Sequence, residues 1–353
     1  MGTIIFFTHK KRDFDLFFDK NALGLLNKSI KILFNPLNRH LTEEEVIKYS
    51  KNASIIVTEW WTGAGKKLLE KKNLKAIIRC GVEIKNIDFE IAKKNKIAII
   101  NVPNTYSNSV AELVITYILT LARNIINFHN QTIKGSYNEA IIEMLSNNKV
   151  NFSDWPQFEI MGSTLGIIGF GSIGKLVRKK ALALGMKVIV FDPFIRKKNK
   201  KITFVSLKYL LQNSRFISLH ASFNNNKYMI SKNEFSYIKK NSFIINTARG
   251  NLINTNEMYN ALKLKKISGA AIDVLETDLK YEKNKTTNWK HSENFAKTKL
   301  NKLDNIIITP HIAGITKETI TRQSIDVIKI INLINNNKLP KSVLNNIKKI
   351  KNV

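Results

Sequence analysis

The sequence predicts an α/β fold made of two doubly wound, parallel-sheet domains, and three observations support this prediction. The chain has 353 residues and 44% hydrophobic content, which is enough for two domains with large buried cores. Short β-rich segments alternate with helical patterns almost throughout, an order typical of parallel sheets. Most of the β segments are continuous runs of Ile, Val, Leu and Phe, as expected for strands that are buried on both faces.

The predicted strands form two series, one in each part of the chain. The first series comprises residues 3–7, 31–35, 54–58, 74–79 and 97–102. The second series comprises residues 164–169, 187–192, 216–220, 243–247, 269–274 and 306–309.

The segment between the two series predicts a crossing from one domain to the other. Pro103 favours an extended linker, and Ser109 with Glu112 has the spacing of a helix-capping box. A long apolar helix is predicted to follow, ending at about Ile125. Two polar segments are predicted to be a variable connection and an exposed insertion, at residues 127–160 and 279–304 respectively.

Composition restricts the classes of function. Cys80 is the only cysteine, so a disulfide within the chain is impossible and a reducing, cytoplasmic location is expected. The longest apolar stretch, residues 114–122, is too short to span a bilayer, and no membrane or metal partner is expected. The formal net charge of +30 would attract nucleic acid, but the lysines are scattered and no aromatic-interleaved basic stripe accompanies them. A solvated basic surface is therefore preferred to a nucleic-acid function.

The most informative motif is a glycine-rich loop that predicts a dinucleotide site. Gly169, Gly171 and Gly174 form G-x-G-x-x-G between a predicted strand and a helix. These glycines allow a tight turn, the approach of a pyrophosphate and close packing of the helix, whose N-terminus offers free N–H groups. Asp192 ends the next strand, where a carboxylate binds ribose hydroxyls and repels a 2′-phosphate, so NAD is the predicted cofactor. The basic residues 196–198 weaken the preference for NAD over NADP.

Polar side chains also follow three later strands. Arg249 follows one apolar run, Asp273, Glu276 and Asp278 follow the next, and His311 follows the last. Ligands of doubly wound sheets lie outside the carboxyl ends of the strands, so these groups are expected near the nicotinamide. Arginine can bind a carboxylate bidentately, and histidine can exchange the proton of a carbonyl/hydroxyl pair. The alternative is structural, since a strand-end histidine is often structural and the arginine could pair with an acid.

Together these motifs resemble the D-isomer-specific 2-hydroxyacid dehydrogenase family. The resemblance rests on TLGIIGFGSIG, INTARGNL, GAAIDVLE and ITPHIAGIT, and it extends over roughly residues 50–335. It implies two Rossmann-like or flavodoxin-like domains with a cleft between them. Residues 1–104 and 312–353 would form a discontinuous substrate (catalytic) domain, and residues 105–311 an NAD-binding Rossmann domain. It further implies a homodimeric, short-form enzyme, similar to phosphoglycerate or hydroxypyruvate dehydrogenases, that interconverts a 2-oxo acid and a D-2-hydroxy acid.

The resemblance also implies roles for individual residues. Arg249 would bind the substrate carboxylate, His311 would be the general acid/base, and Asp278 would support the histidine. Asp278 is one methylene shorter than the family's glutamate, which leaves Glu276 as an alternative. The residues implied to line the cofactor are Gly169, Gly171, Ser172, Ile173, Gly174, Asp192, Ala221, Thr247, Ala248, Asp273 and Gly314.

The substrate loop departs from the family pattern. Gly81 and Val82 match the positions whose backbone amides bind the substrate carboxylate. Glu83 and Lys85 replace the second glycine and the aspartate that the family usually carries there. These departures motivate an alternative function, a non-catalytic, NAD-responsive binding or scaffold protein of the same fold.

Overall fold

The structure, a computed structural model, describes residues 3–11, 14–59, 62–81, 84, 86–102, 104–135, 157–195, 199–222, 228–276 and 295–350. These residues form two compact units. The first contains the described residues up to Thr105 and those from Ile315 onward, and the second contains those from Tyr106 to Gly314. Both units are parallel α/β structures, so the predicted fold class is confirmed.

Strands and helices alternate along both units. The strands are β1 Ile4–Lys10, β2 Lys31–Asn35, β3 Ile55–Thr58, β4 Ala76–Arg79, β5 Ala98–Asn101, β6 Thr164–Ile168, β7 Lys187–Phe191, β8 Thr203–Phe204, β9 Phe216–Leu219, β10 Phe243–Asn246, β11 Gly269–Ile272 and β12 Ile306–Ile308. The α-helices are α1 Lys20–Leu23, α2 Glu43–Ser50, α3 Lys66–Leu69, α4 Phe89–Lys94, α5 Ser107–Arg123, α6 Ile125–Ile133, α7 Ser172–Ala183, α8 Leu207–Asn213, α9 Lys232–Tyr237, α10 Thr255–Lys263 and α11 Lys317–Asn335. Short 3-10 helices occur at Phe14–Leu16, Gly250–Leu252 and Lys299–Lys302.

The first unit contains a parallel sheet with the strand order β2–β1–β3–β4–β5. Every residue of β3 and β4 is buried, because the sheet is covered on both faces. One face packs against α11, whose buried residues Val327, Ile331 and Ile334 recur at the spacing of a helical stripe. The unit therefore draws its core from both ends of the described chain.

The second unit contains a parallel sheet with the strand order β12–β11–β10–β9–β6–β7–β8. The direction of winding reverses at β6, because β7 and β8 lie on one side of it and β9 to β12 lie on the other. The reversal opens a crevice beyond the carboxyl ends of β6 and β9, where ligands of doubly wound sheets bind.

Each of the predicted strands is confirmed, although most are shorter than expected, and one strand was missed. The missed strand, β8, has only two residues and lies at the sheet edge. The predicted capping box at Ser109 is wrong, because α5 begins at Ser107. The buried Ser109 hydroxyl donates instead to the Ala313 carbonyl oxygen, at 2.7 Å. Most of the two predicted polar segments lies outside the described residues, namely residues 136–156 of the first and 279–294 of the second.

No single described helix combines the length and apolar content needed to cross a membrane. Helices α5 and α6, which are bent by 60° at their junction, reach that length and composition only when they are taken together.

A buried histidine is expected to make the stability of the first unit depend on pH. His9, in β1, is 2% exposed, packs against the rings of Phe14, Phe17 and Phe18, and has no hydrogen-bond partner for either ring nitrogen within the described chain. Burial lowers the pKa of His9 from 6.5 to about 4. Between those values the unfolded state binds a proton that the folded state rejects. The free energy of unfolding is therefore unaffected by His9 above pH 6.5, and it falls by about 3 kcal/mol as the pH approaches 4.

Denaturant unfolding measured across this pH range tests the expectation. His9→Phe, which suits the aromatic surroundings, should unfold with a smaller loss of stability on acidification than the unmodified protein. An identical pH dependence in the two proteins would show that His9 is not responsible.

Candidate functional site

Most of the predicted site residues of the second unit lie along the carboxyl edge of its sheet. Six neighbouring strands, from β12 through β6 to β7, end along this edge, which spans about 24 Å at the usual strand spacing. The residues that follow the strands are His311 after β12, Asp273 after β11, Thr247, Ala248 and Arg249 after β10, Ala221 after β9, Gly169, Gly171 and the first α7 residues Ser172, Ile173 and Gly174 after β6, and Asp192 after β7.

The glycine-rich loop between β6 and α7 leaves room for a ligand at one position only. Gly169 has a φ of +90°, and a Cβ there would lie 2.6 Å from the Ala221 backbone nitrogen. A Cβ at Gly174 would overlap the Gly169 carbonyl oxygen, so these two glycines are needed by the fold itself. A Cβ at Gly171 would meet nothing within 4 Å. The open space lies at the N-terminus of α7, where backbone N–H groups can bind phosphate.

Asp192 is held beside this loop. Its Oδ2 accepts a hydrogen bond from the Phe170 backbone nitrogen at 2.8 Å, and its Oδ1 accepts one from the Phe194 nitrogen at 2.9 Å. Each carboxylate oxygen has a second lone pair, which remains suited to a ribose hydroxyl. The buried Thr247 hydroxyl, further along the same edge, has no hydrogen-bond partner among the described residues. The loop, the carboxylate and this hydroxyl fit a dinucleotide.

The turn that carries Arg249 is shaped by its neighbours. The buried Asn246 side chain donates to the Arg249 carbonyl oxygen at 2.9 Å and accepts from the Ala248 backbone nitrogen at 3.0 Å. The Arg249 guanidinium is half-buried and donates to the Ala248 carbonyl oxygen at 2.7 Å. Gly250 lies directly against the backbone of Leu275, and a Cβ there would overlap the Leu275 carbonyl carbon. The glycine beside the arginine is therefore required for packing between the segments that follow β10 and β11.

Replacing Gly250 with alanine is expected to destabilise the protein by about 3 kcal/mol or more, because backbone would have to move. Gly171→Ala is the matched control, since its Cβ enters open space and should leave the free energy of unfolding nearly unchanged. Denaturant unfolding of both variants provides the measurement. Equal stability of the two variants would mean that the close approach to Leu275 is not a structural requirement.

Glu276 makes contacts that do not involve the His311 segment. One of its carboxylate oxygens accepts from the Tyr228 hydroxyl and the other from the Thr255 backbone nitrogen, at 3.3 Å, where α10 begins. The hydrogen bond to Glu276 raises the pKa of Tyr228 to about 12. These contacts give no support to Glu276 as a substitute for Asp278, which lies outside the described residues.

The segment that carries His311 is fixed to the fully buried Asp273. The Asp273 carboxylate accepts hydrogen bonds from the Thr309 hydroxyl, from the Ile312 nitrogen at 2.9 Å and from the Ala313 nitrogen at 2.8 Å. His311 itself is half-buried and has a φ of +58°. Gly314, which ends the segment, lies against the Tyr106 ring, 2.9 Å from where a Cβ would stand.

A second histidine at the same edge is unsuited to acid/base chemistry. His220 follows β9, and its Nε2 lies 2.8 Å from the Ser218 hydroxyl. Burial lowers the pKa of His220 to about 3, so its ring stays neutral near pH 7. His220 follows β9, which is directly beside β10, whereas His311 follows β12, which is separated from β10 by β11.

In the first unit, Gly81 follows β4 and has a φ of +121°, which favours glycine. Arg79, the last residue of β4, is fully buried, and the sequence analysis did not predict a role for it. Its guanidinium donates to the carbonyl oxygens of Glu59 and Thr62 and to Asn86 Oδ1, the last at 2.7 Å. Arg79 thus ties together the segments that follow β3 and β4. Val82, predicted as the second substrate-loop residue, lies outside the described part of the chain, and the role of Gly81 remains a prediction.

Comparisons with known proteins agree with this geometry. Residues 115–313 match the family model of the D-isomer specific 2-hydroxyacid dehydrogenase, NAD binding domain. The hydroxypyruvate reductase of Thermotoga maritima is 31% identical over 315 residues, which cover 89% of this chain and 94% of that protein. The D-3-phosphoglycerate dehydrogenase of Methanocaldococcus jannaschii is 34% identical over 284 residues, or 79% of this chain. That alignment covers 49% of the longer relative, so this chain spans about half its length.

Solved structures show the same relationship. The crystal structure of D-lactate dehydrogenase from Aquifex aeolicus, complexed with NAD and lactic acid, has a TM-score of 0.69 and 28% sequence identity to this chain. The superposition covers 94% of this chain and 95% of that one.

Proposed function

The chain belongs to the D-isomer-specific 2-hydroxyacid dehydrogenase family, and we propose that it interconverts a small 2-oxo acid and its D-2-hydroxy acid with Arg249 and His311 as the catalytic residues. The family and its named relatives make it an NAD-dependent oxidoreductase. One observation carries the assignment of roles. A dinucleotide-type loop, Arg249 and His311 all lie along the carboxyl edge of one doubly wound sheet.

Arg249 supplies the binding site for the substrate carboxylate. A guanidinium has five N–H donors, and the Ala248 carbonyl oxygen takes one of them. The remaining donors can bind a carboxylate bidentately and hold the adjacent carbonyl in a fixed orientation. Strands β10 and β12 are separated by β11, so the ends that carry Arg249 and His311 are on the order of 10 Å apart. That separation suits a small 2-oxo acid.

His311 is the general acid/base that exchanges the proton with the substrate oxygen. When bound, the cofactor would supply the hydride to the carbonyl carbon as NADH and would accept it from the hydroxy acid as NAD⁺. During reduction the His311 imidazolium donates a proton to the substrate oxygen, and during oxidation the neutral imidazole removes it. The residues proposed to hold NAD are Gly169, Gly171, Ser172, Ile173, Gly174, Asp192, Ala221, Thr247, Ala248 and Gly314. Asp192 supports a preference for NAD over NADP, because a 2′-phosphate would meet its carboxylate.

The proposed function is tested by following NADH oxidation with a panel of 2-oxo acids, and NADPH in parallel. Hydroxypyruvate is the first candidate, because the Thermotoga maritima relative carries that name and matches over 94% of its length. The other substrates are glyoxylate, pyruvate, 2-oxoglutarate, branched 2-oxo acids and 3-phosphohydroxypyruvate. Turnover of at least one of them is expected. NADH binding without any turnover would overturn the proposal and favour the non-catalytic scaffold, an alternative that the named relatives do not support.

We also propose that the protein is a cytoplasmic homodimer. Helix α6 has no buried residue, and Ile125, Ile126 and Ile133 are 51%, 43% and 71% exposed. Apolar residues grouped in this way commonly belong to an interface. The molar mass in solution tests the homodimer, and twice the mass of one chain is expected. A monomer at micromolar concentration would contradict the proposal. The buried thiol of Cys80 is compatible with a reducing compartment.

A further inference from the structure

His311 has a backbone conformation that costs free energy. Its φ of +58° lies in the left-handed region, which a residue other than glycine seldom adopts. This steric cost means that the conformation persists only where the surroundings enforce it. The groups that enforce it also determine where the imidazole points.

Asp273 holds the chain on both sides of His311. Its carboxylate accepts hydrogen bonds from Thr309 before the histidine and from Ile312 and Ala313 after it. Asp273 is completely buried, and hydrogen bonds to a buried carboxylate are stronger than those between neutral groups. Three such bonds together outweigh the cost of one left-handed residue.

Helix α5 extends this support. The Thr309 hydroxyl gives its single proton to Asp273, so the Tyr117 hydroxyl must be the donor in the contact between Tyr117 and Thr309. Burial raises the pKa of Tyr117, which keeps its hydroxyl protonated near neutral pH. Two turns earlier on the same helix, Ser109 donates to the Ala313 carbonyl oxygen at 2.7 Å. The His311 segment is therefore held to α5 at both ends.

We propose that Asp273 is a positioning residue for His311, assisted by Thr309 and Tyr117. This inference rests on the proposed role of His311 as the acid/base. It differs from the role that the family resemblance implies for Asp273, which is contact with the cofactor. The two roles predict different kinetics, because a positioning residue affects kcat whereas a cofactor contact affects NADH affinity.

Asp273→Asn removes one acceptor and introduces an N–H₂ donor that faces the donors of the segment. The segment should relax, and a displacement of the imidazole by about 1 Å costs on the order of 10²-fold in rate. We expect kcat to fall by about that factor in Asp273→Asn and by roughly 3- to 10-fold in Thr309→Val and Tyr117→Phe, each of which removes one supporting bond. In all three variants the dissociation constant of NADH should change less than about twofold.

Thr116→Val is the matched control, because Thr116 lies on α5 but its hydroxyl donates to the Glu112 carbonyl oxygen of the same helix. Its kcat should equal that of the unmodified protein. A crystal structure of Asp273→Asn provides a readout besides activity, since the φ of His311 is expected to leave the left-handed region. Should Asp273→Asn fail to fold, Thr309→Val and Tyr117→Phe decide the question.

The outcomes separate this inference from the proposed function. An unmodified protein that turns over no 2-oxo acid, or a His311→Asn variant that stays active, would overturn the proposed function. An active protein that depends on His311 but keeps its kcat in Thr309→Val and Tyr117→Phe would overturn the positioning role. So would an Asp273→Asn variant whose only defect is weaker NADH binding, since that result assigns Asp273 to the cofactor.

Discussion

Replacing Arg249 with alanine is expected to reduce kcat/KM for 2-oxo acid reduction by on the order of 10²- to 10⁴-fold. The substitution removes about two charge-assisted hydrogen bonds to the substrate carboxylate, each worth about 1.5–3 kcal/mol. NADH binding should be unchanged, because the guanidinium is not among the groups proposed to hold the cofactor. Steady-state kinetics with varied 2-oxo acid and saturating NADH provide the measurement.

Two further variants sharpen this test. Arg249→Lys keeps the charge but loses bidentate geometry, so it should recover only part of the activity. Arg39→Ala is the control, since Arg39 forms an exposed ion pair with Glu45 in the first unit and should leave turnover unchanged. An Arg249→Ala variant with near-normal kcat/KM would mean that the substrate carboxylate is bound elsewhere.

Replacing His311 with asparagine is expected to lower kcat by about 10²- to 10⁴-fold, the usual contribution of a positioned general acid. Asparagine is chosen because it tolerates the left-handed backbone that His311 adopts, so the chain should keep its course. The variant should still bind NADH with normal affinity. Stopped-flow and steady-state measurements of NADH oxidation give kcat, and fluorescence titration gives the dissociation constant of NADH.

The control for this substitution is His129→Asn, which changes an exposed histidine on α6 and should retain full activity. An unchanged kcat in His311→Asn would mean that a group other than His311 exchanges the proton with the substrate. His220 is a poor candidate for that role, because burial keeps its ring neutral near pH 7.

The sequence predicts the strands and the glycine loop well, because both depend on local patterns. Continuous apolar runs mark strands that are covered on both faces, and the glycine at 174 is required by its contact with Gly169 within one strand–turn–helix unit. The order of the strands then determines which predicted site residues are neighbours. Once β10, β11 and β12 are neighbours, Arg249, Asp273 and His311 must follow them along one edge.

Contacts between distant segments are what the sequence could not predict. Ser109 has the spacing of a capping residue, but its hydroxyl is used by Ala313, 204 residues away. Arg79 is the last residue of β4 and Arg249 follows β10 by three residues. The Arg79 guanidinium donates to groups of its own unit, whereas Arg249 uses one donor on the Ala248 carbonyl oxygen. The folded surroundings, and not the strand-end position alone, distinguish a structural arginine from one suited to a substrate.

The family resemblance predicts that Asp278, which is one methylene shorter than the family's glutamate, supports His311, and residue 278 lies outside the described residues. Any carboxylate that supports His311 stabilises its imidazolium, and a shorter side chain would do so less effectively. Glu276 is already engaged with Tyr228 and the start of α10. Asp273 is thus the described carboxylate with hydrogen bonds to the His311 segment, which gives its positioning role added weight.

The most direct test of hydride transfer to a D-2-hydroxy acid is a comparison of enantiomers. Purified protein is given NAD and either the D or the L form of glycerate and of lactate, and the formation of NADH is followed. We predict NADH formation with the D form of at least one acid, none with its L form, and loss of the reaction in His311→Asn. Reaction with the L forms alone would contradict the proposed function. The proposed function would also be contradicted if the protein bound NAD but oxidised neither form and reduced no 2-oxo acid.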